Sequence, residues 1–149
     1  MNKLRNQLEE LYIEIEKALD AREKILPEFI SYITSSNYIS PSINQSIKSI
    51  EYILKGTNFD YQSQQATISF QLNNIFIELS KLTNLKDGKL LILQKRLLNI
   101  DEDIQYSSNS FNQAVTSYND YINSSPVKYY AFQLGFLEAE LFELKALNG

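Results

Sequence analysis

The sequence predicts an all-α fold: an antiparallel four-helix bundle with long first and fourth helices and a short C-terminal helical tail packed on one end. Three observations carry this. Apolar residues recur at steps of three and four almost from end to end, the spacing of one helix face. Glycine and proline are scarce, at four and three of 149 residues, whereas turn-dense β-sandwiches and barrels need more. The breaks in the periodicity coincide with helix start and stop residues, Ser40-Pro41, Gly56, Asn58 or Asp60, and Asp87-Gly88. Residues 1–149 read as a single domain.

The first helix is expected over residues 2–35, with Leu4, Leu8, Leu11, Ile15, Ala18, Arg22, Ile25 and Phe29 as its apolar seam. Pro27 falls inside it and should kink it, because proline offers no N–H to the carbonyl of residue 23. The second helix, 41–55, starts at an N-cap serine followed by proline and carries Ile43, Ile47, Ile50 and Leu54. The third, 59–83, has the seam Ile68, Leu72, Ile75, Leu79 and Leu82, with Phe70, Phe76 and Ile77 expected to widen its apolar face. Residues 61–77 are uncharged, but Gln and Asn interrupt them too often for a membrane span. The fourth, 88–124, follows Leu90, Leu93, Leu97, Ile100, Ile104, Ser107, Phe111, Ala114, Tyr118 and Tyr121. The tail, 127–147, is aromatic and apolar, and a short helix is expected from Phe136.

Lengths turn these elements into an architecture. The long pair should measure about 50 Å each, while helices of roughly 15 and 23 residues cannot reach as far. At the uncovered end Leu4, Leu8, Leu11, Phe111, Tyr118 and Ile122 need partners, and Tyr129, Tyr130, Phe132, Phe136, Leu141 and Phe142 of the tail are the available cover.

Composition removes whole classes of chemistry. The chain has no His, Cys or Trp. Thiol nucleophiles, disulfides, zinc ribbons and Ser-His-Asp triads are therefore excluded, as are di-iron bundles built on Glu-x-x-His. With four glycines at 56, 88, 135 and 149, neither a P-loop nor GxGxxG can be written. A net charge of −4 and only three arginines, Arg5, Arg22 and Arg96, fit no nucleic-acid partner. The carboxylates Glu9, Glu10, Glu14 and Glu16, and Glu138, Glu140 and Glu143, read as solvated faces. No catalytic residue, cofactor or metal is expected.

Two features stand out from the seams. Arg22 is a cation on an apolar stripe and needs acceptors. Counting along antiparallel helices brings it to Asp101, and a partly buried Arg22–Asp101 pair is expected, fixing helix register. Asn112 and Asn119 lie seven residues apart beside Phe111 and Tyr118. They are placed to hydrogen-bond across helices or to cap the folded-back tail.

Three stretches together resemble the LemA family of bacterial helical-bundle proteins. The first is Arg22-Glu23-Lys24-Ile25-Leu26-Pro27-Glu28-Phe29-Ile30, and the second is Asn84-Leu85-Lys86. The third, most specific, runs Phe111-Asn112-x-x-Val115-x-x-Tyr118-Asn119-x-x-Ile122, Ser125-Pro126, Phe132-x-x-Gly135-Phe136 and Phe142. Departures are Ala21 in place of an arginine, Lys24 in place of an aspartate, and Ser108 and Ser110 in place of arginines. The resemblance implies a helical bundle at the bacterial membrane with no established enzymatic activity. Family members typically carry a transmembrane helix before the first bundle helix. The expected location is thus cytoplasmic if the chain is complete, and membrane-anchored if a span precedes Met1.

The functional expectation is a non-enzymatic protein-interaction or scaffolding module at or near the membrane, with a protein partner preferred over anionic lipid because the chain is acidic. The alternative is a ligand-sensing module with a polar site around Arg22 and Asp101. Oligomerisation through helix faces is a third candidate.

Overall fold

The computed structural model describes residues 2–56, 60–82, 86–124 and 126–147. Among the described residues there are five helices and no strand: α1 (Asn2–Thr34), α2 (Pro41–Leu54), α3 (Tyr61–Ser80), α4 (Gly88–Asn123) and α5 (Val127–Gln133). The expected outer limits of the third helix, residues 59 and 83, lie outside the described residues, as do Asn84, Leu85 and Ser125.

The caps follow from local chemistry. Ser40 Oγ accepts the Ile43 N–H at 3.2 Å, and Pro41 opens α2 where no donor is needed. Gly56 follows α2 at φ +97°, a left-handed conformation in which a side chain is disfavoured. The Asp60 carboxylate accepts from Ser63 N–H at 2.9 Å, and Asp87 accepts from Lys89 and Leu90 N–H at 3.1 and 3.2 Å. α1 continues through Pro27 to Thr34. Pro27 and Glu23 are both exposed, so the hydrogen bond proline cannot make is lost on the wet side of the helix.

Residue pairs fix the directions. The hydroxyls of Tyr32 and Tyr38 donate to the Asp87 carboxylate, Arg96 lies 3.7 Å from Glu28, and the Tyr12 and Phe111 rings are 5.5 Å apart. As numbers rise along α1 they fall along α4. α3 runs with α1, since Arg22 bonds Gln65 and Ser69 while Phe29 meets Phe76 at 5.9 Å between ring centres. α2 packs on α3.

The core has two parts. One is shared by α1, α2, α3 and α4 and includes Leu26, Phe29, Ile50, Leu72, Ile75, Leu90 and Leu97. The other lies where α2 and α3 do not reach and joins α1 and α4 to the tail through Ile15, Leu19, Phe111, Tyr118, Phe142 and Leu144.

Several expectations need correction. After Leu97 the buried stripe of α4 is Asp101, Ile104, Ser108, Phe111, Val115, Tyr118 and Ile122. It is one residue out of phase with Ile100, Ser107, Ala114 and Tyr121, because two successive steps of four, Leu93 to Leu97 to Asp101, shift the stripe once before the seven-residue repeat resumes. On α3, Phe76 is buried but Phe70 and Ile77 are exposed, so its apolar face is not widened as expected. Polar Gln65, Ser69 and Asn73 take up buried positions there instead. Finally, the short helix of the tail is α5, before Phe136, and residues 136–147 are non-helical.

Candidate functional site

The tail beyond Phe136 makes polar contacts with side chains of α3 and α4. Asn119 Oδ1 accepts the Ala139 N–H at 2.8 Å, and its Nδ2 donates to the Ala139 carbonyl at 3.0 Å. Asn112 repeats the arrangement on Phe142, at 2.8 Å in both directions. Gln105 donates to the Leu144 carbonyl at 3.1 Å, Asn73 to that of Ala146 at 3.2 Å, and Tyr118 Oη to that of Leu137 at 3.0 Å. Asp101 Oδ2 accepts the Leu147 N–H at 3.0 Å. These contacts step down α4 as the tail steps forward, so the tail lies antiparallel to α4.

The geometry explains the spacing. Seven helical residues advance about 10.5 Å, and three extended residues advance about 10 Å. Amides at 112 and 119 therefore meet residues 142 and 139 in register. Each primary amide offers one acceptor and two donors, which match the N–H and C=O of one extended residue. Buried between these clamps are Phe142, Leu144 and Leu147, and the Phe142 ring meets Tyr12 edge-on at 6.0 Å. Burial, with Glu16 nearby, raises the Tyr12 hydroxyl above its ordinary pKa.

The tail is more than a cap on one end. It begins beside Tyr118 and Asn119 and reaches Asp101, where Leu147 joins the core shared by all four long elements. Of its expected covering residues, Phe142 is buried and Phe136 is half-buried under the Arg5 guanidinium at 4.8 Å. Tyr129, Tyr130 and Phe132 are exposed, because α5 buries only Ala131 and turns its aromatic residues outward, and Leu141 is exposed in the extended run. Gly135, at φ +79°, supplies the turn from α5 into the extended run.

Arg22 is fully buried. Its partners are on α3: Nη1 donates to Ser69 Oγ at 2.6 Å, and Nη2 donates to the Gln65 side-chain and backbone oxygens at 2.9 and 3.1 Å. Asp101 forms no ion pair with it, which corrects the expected contact. The carboxylate still acts through space. Burial pulls the guanidinium pKa down to about 10, and the Asp101 charge opposes that shift. Asp101 Oδ1 and Ser108 Oγ are buried with no hydrogen-bond partner among the described residues.

On α5, Tyr129, Tyr130 and Phe132 are exposed, as are Leu134 and Leu137 just after it. Pro126 and Lys128 join the three aromatic residues around an open hollow of about 560 Å³. Phe132 is 83% exposed.

The structure thus brings Asn112, Tyr118, Asn119 and Phe142 into one constellation, with Gly135 and Phe136 at its entry. Pro27 and Phe132 stand apart from it. Gln105 belongs to it and was missed by sequence reasoning, although it lies seven residues before Asn112 and continues the same stripe. The backbone contact of Asp101 carried no signal of its own.

No described helix is long and apolar enough to cross a membrane. Comparison with curated proteins finds no match. A sequence model described as LemA family matches residues 11–148. That span holds both core clusters almost entirely and every clamp on the tail, and the chain belongs to the LemA family.

Proposed function

We propose that this chain is a non-enzymatic protein-interaction or scaffolding module, an antiparallel four-helix bundle acting at or near the bacterial membrane, and that the aromatic surface of α5 is its contact face. The observation that carries this reading is that exposed Tyr129, Tyr130 and Phe132 line one open hollow, with Leu134 and Leu137 exposed in the next few residues. Contiguous exposed aromatics of this kind mark interaction surfaces on soluble folds. The net charge of −4 favours a protein partner over an anionic lipid surface. A chain without His or Cys also lacks the side chains most used in catalysis at neutral pH.

The alternative is a ligand-sensing site around Arg22 and Asp101. The unpartnered Asp101 Oδ1 favours it. Against it, Arg22 has no exposed surface and its guanidinium is already engaged by α3.

The test compares the wild type with a Tyr129→Ser/Phe132→Ser variant, both full length. In-cell photo-crosslinking from position 130 reports protein contact, and flotation with vesicles reports lipid contact. The double substitution is expected to remove a discrete cross-linked species while leaving the circular dichroism unchanged. Identical cross-linking and flotation for the two proteins would rule out the α5 face.

A further inference from the structure

We propose that the groove along α4 is a site for an extended peptide backbone whose occupant in trans is the tail of a second copy of this chain, so that two copies join by exchanging residues 136–147. Four observations support it.

The clamps read backbone. Asn112 and Asn119 each close two bonds on the main chain of a single residue, at 2.8 to 3.0 Å, and Gln105 takes one more carbonyl at 3.1 Å. Polar partners of residues 137–147 stand on α3 (Gln62, Asn73) and on α4 (Asp101, Gln105, Asn112, Tyr118, Asn119, Asn123).

The tail is structurally separate from what precedes it. Among the described residues, backbone-to-backbone bonds beyond α5 end with Phe136 N–H to Ala131 O at 2.9 Å. From there on the segment has neither helix nor sheet of its own, and it detaches without breaking a helical ladder.

The junction is a turn. Gly135 sits at φ +79°, and a Cβ placed there would meet nothing within 4 Å, so the turn stands in open space and is not packed under another element at that point.

The occupant is on view. A second copy's tail carries the same Phe142, Leu144 and Leu147 anchors, so it forms the same contacts in another molecule's groove. Cis and trans occupancy then differ only at the junction, the condition for domain swapping.

The native absence of cysteine makes the test clean. Asn109 and Glu143 are both exposed and line one shallow hollow beside the tail. Full-length Asn109→Cys chains labelled with nitrogen-15 are mixed with unlabelled full-length Glu143→Cys chains, passed briefly through mild urea, and treated with a short bismaleimide. Tail exchange is expected to give a labelled-109 to unlabelled-143 link that rises with protein concentration. Adding Asn112→Leu and Asn119→Leu to the labelled chain should reduce that link at least tenfold. A chain carrying both cysteines monitors the cis contact. Complete cis linkage in that chain, with no mixed link up to about 1 mM, overturns the proposal; this concentration sits at the weak limit of specific association. Suppression of the mixed link by an unrelated extended apolar peptide as readily as by a peptide of residues 136–147 also overturns the assignment of a second copy as occupant.

Discussion

Two residues show how far single side chains govern this molecule. Arg22 is a buried cation whose two terminal nitrogens donate to Gln65 and Ser69. Arg22→Met would leave the buried Gln65 and Ser69 oxygens without their donor and remove the positive charge that acts on Asp101 through space, and uncompensated buried polar groups are strongly destabilising. Urea denaturation at neutral pH should show a loss of about 3 kcal/mol. The sequence flagged Arg22 as foreign to its stripe but not its partners. Counting along antiparallel helices relates α1 to α4, whereas the placement of α3 rests on packing that no local pattern encodes.

Asp87 is the second case. The Tyr32 hydroxyl and the Leu90 N–H hold its carboxyl below the ordinary value of 3.8, and the same bond pushes Tyr32 up to about 12. A carboxylate with a lowered folded pKa contributes stability that is complete above the unfolded value and lost as pH falls through the folded one. A tyrosine with a raised folded pKa contributes stability that is complete below 10 and lost between 10 and about 12. The stability difference between the wild type and Tyr32→Phe should therefore be level from about pH 4 to 10 and shrink on both sides. A series of urea titrations across pH checks this, and a difference independent of pH would show that the Tyr32–Asp87 bond does not form in solution.

At the scale of elements, the caps were legible, the seam of α4 was legible only as far as Leu97, and the tail's contact with Asn112 and Asn119 was legible while its extended course was not. Ser40 and Asp87 cap α2 and α4 as their positions predict, and Asp60 caps α3, the other candidate, Asn58, lying outside the described residues; capping is written in the first residues of the helix itself. Residues 136–147 carry Leu, Glu, Ala and Lys, all good helix formers, and Leu137, Leu141 and Leu144 have helical spacing. A helix from 137 to 147 would be only about 16 Å long, while Asn119 and Asp101 are about 27 Å apart along α4. Only an extended chain reaches both, and the amides of α4 then replace the hydrogen bonds that a helix would have supplied. Tertiary partners override propensity here. Asn112→Leu should cost about 2 kcal/mol, two neutral hydrogen bonds at about 1 kcal/mol each. Hydrogen exchange is the sharper readout. The amides of Ala139, Phe142 and Leu147 should lose protection while those of α2 and α3 keep theirs. Unchanged exchange at Phe142 would show that Asn112 does not hold the tail.

At the scale of the whole molecule, α1 and α4 are two continuous rods crossing two different cores. One core is completed by α2 and α3, the other by the tail. Helix lengths in the sequence already required this division, since the short pair leaves one end of the long pair bare. What they could not reveal is that the cover runs along α4 to Asp101 and ties Leu147 into the first core. The division has a consequence for truncation. A chain ending at Gly135 loses Phe142, Leu144 and Leu147 and opens Tyr12, Phe111 and Tyr118 to water. Phe142 alone forfeits about 2 kcal/mol of burial. The first core loses only Leu147, so its helices retain their partners. The truncated chain should therefore fray at one end and unfold in two steps: exchange protection is lost over residues 8–19 and 104–122 and survives over residues 26–33 and 90–97. Exchange protection at the exposed end should fall at lower urea than the helical circular dichroism signal. Coincident transitions by the two probes, with protection falling evenly along α1, would mean that the rods transmit the loss from end to end and that the two cores form one cooperative unit.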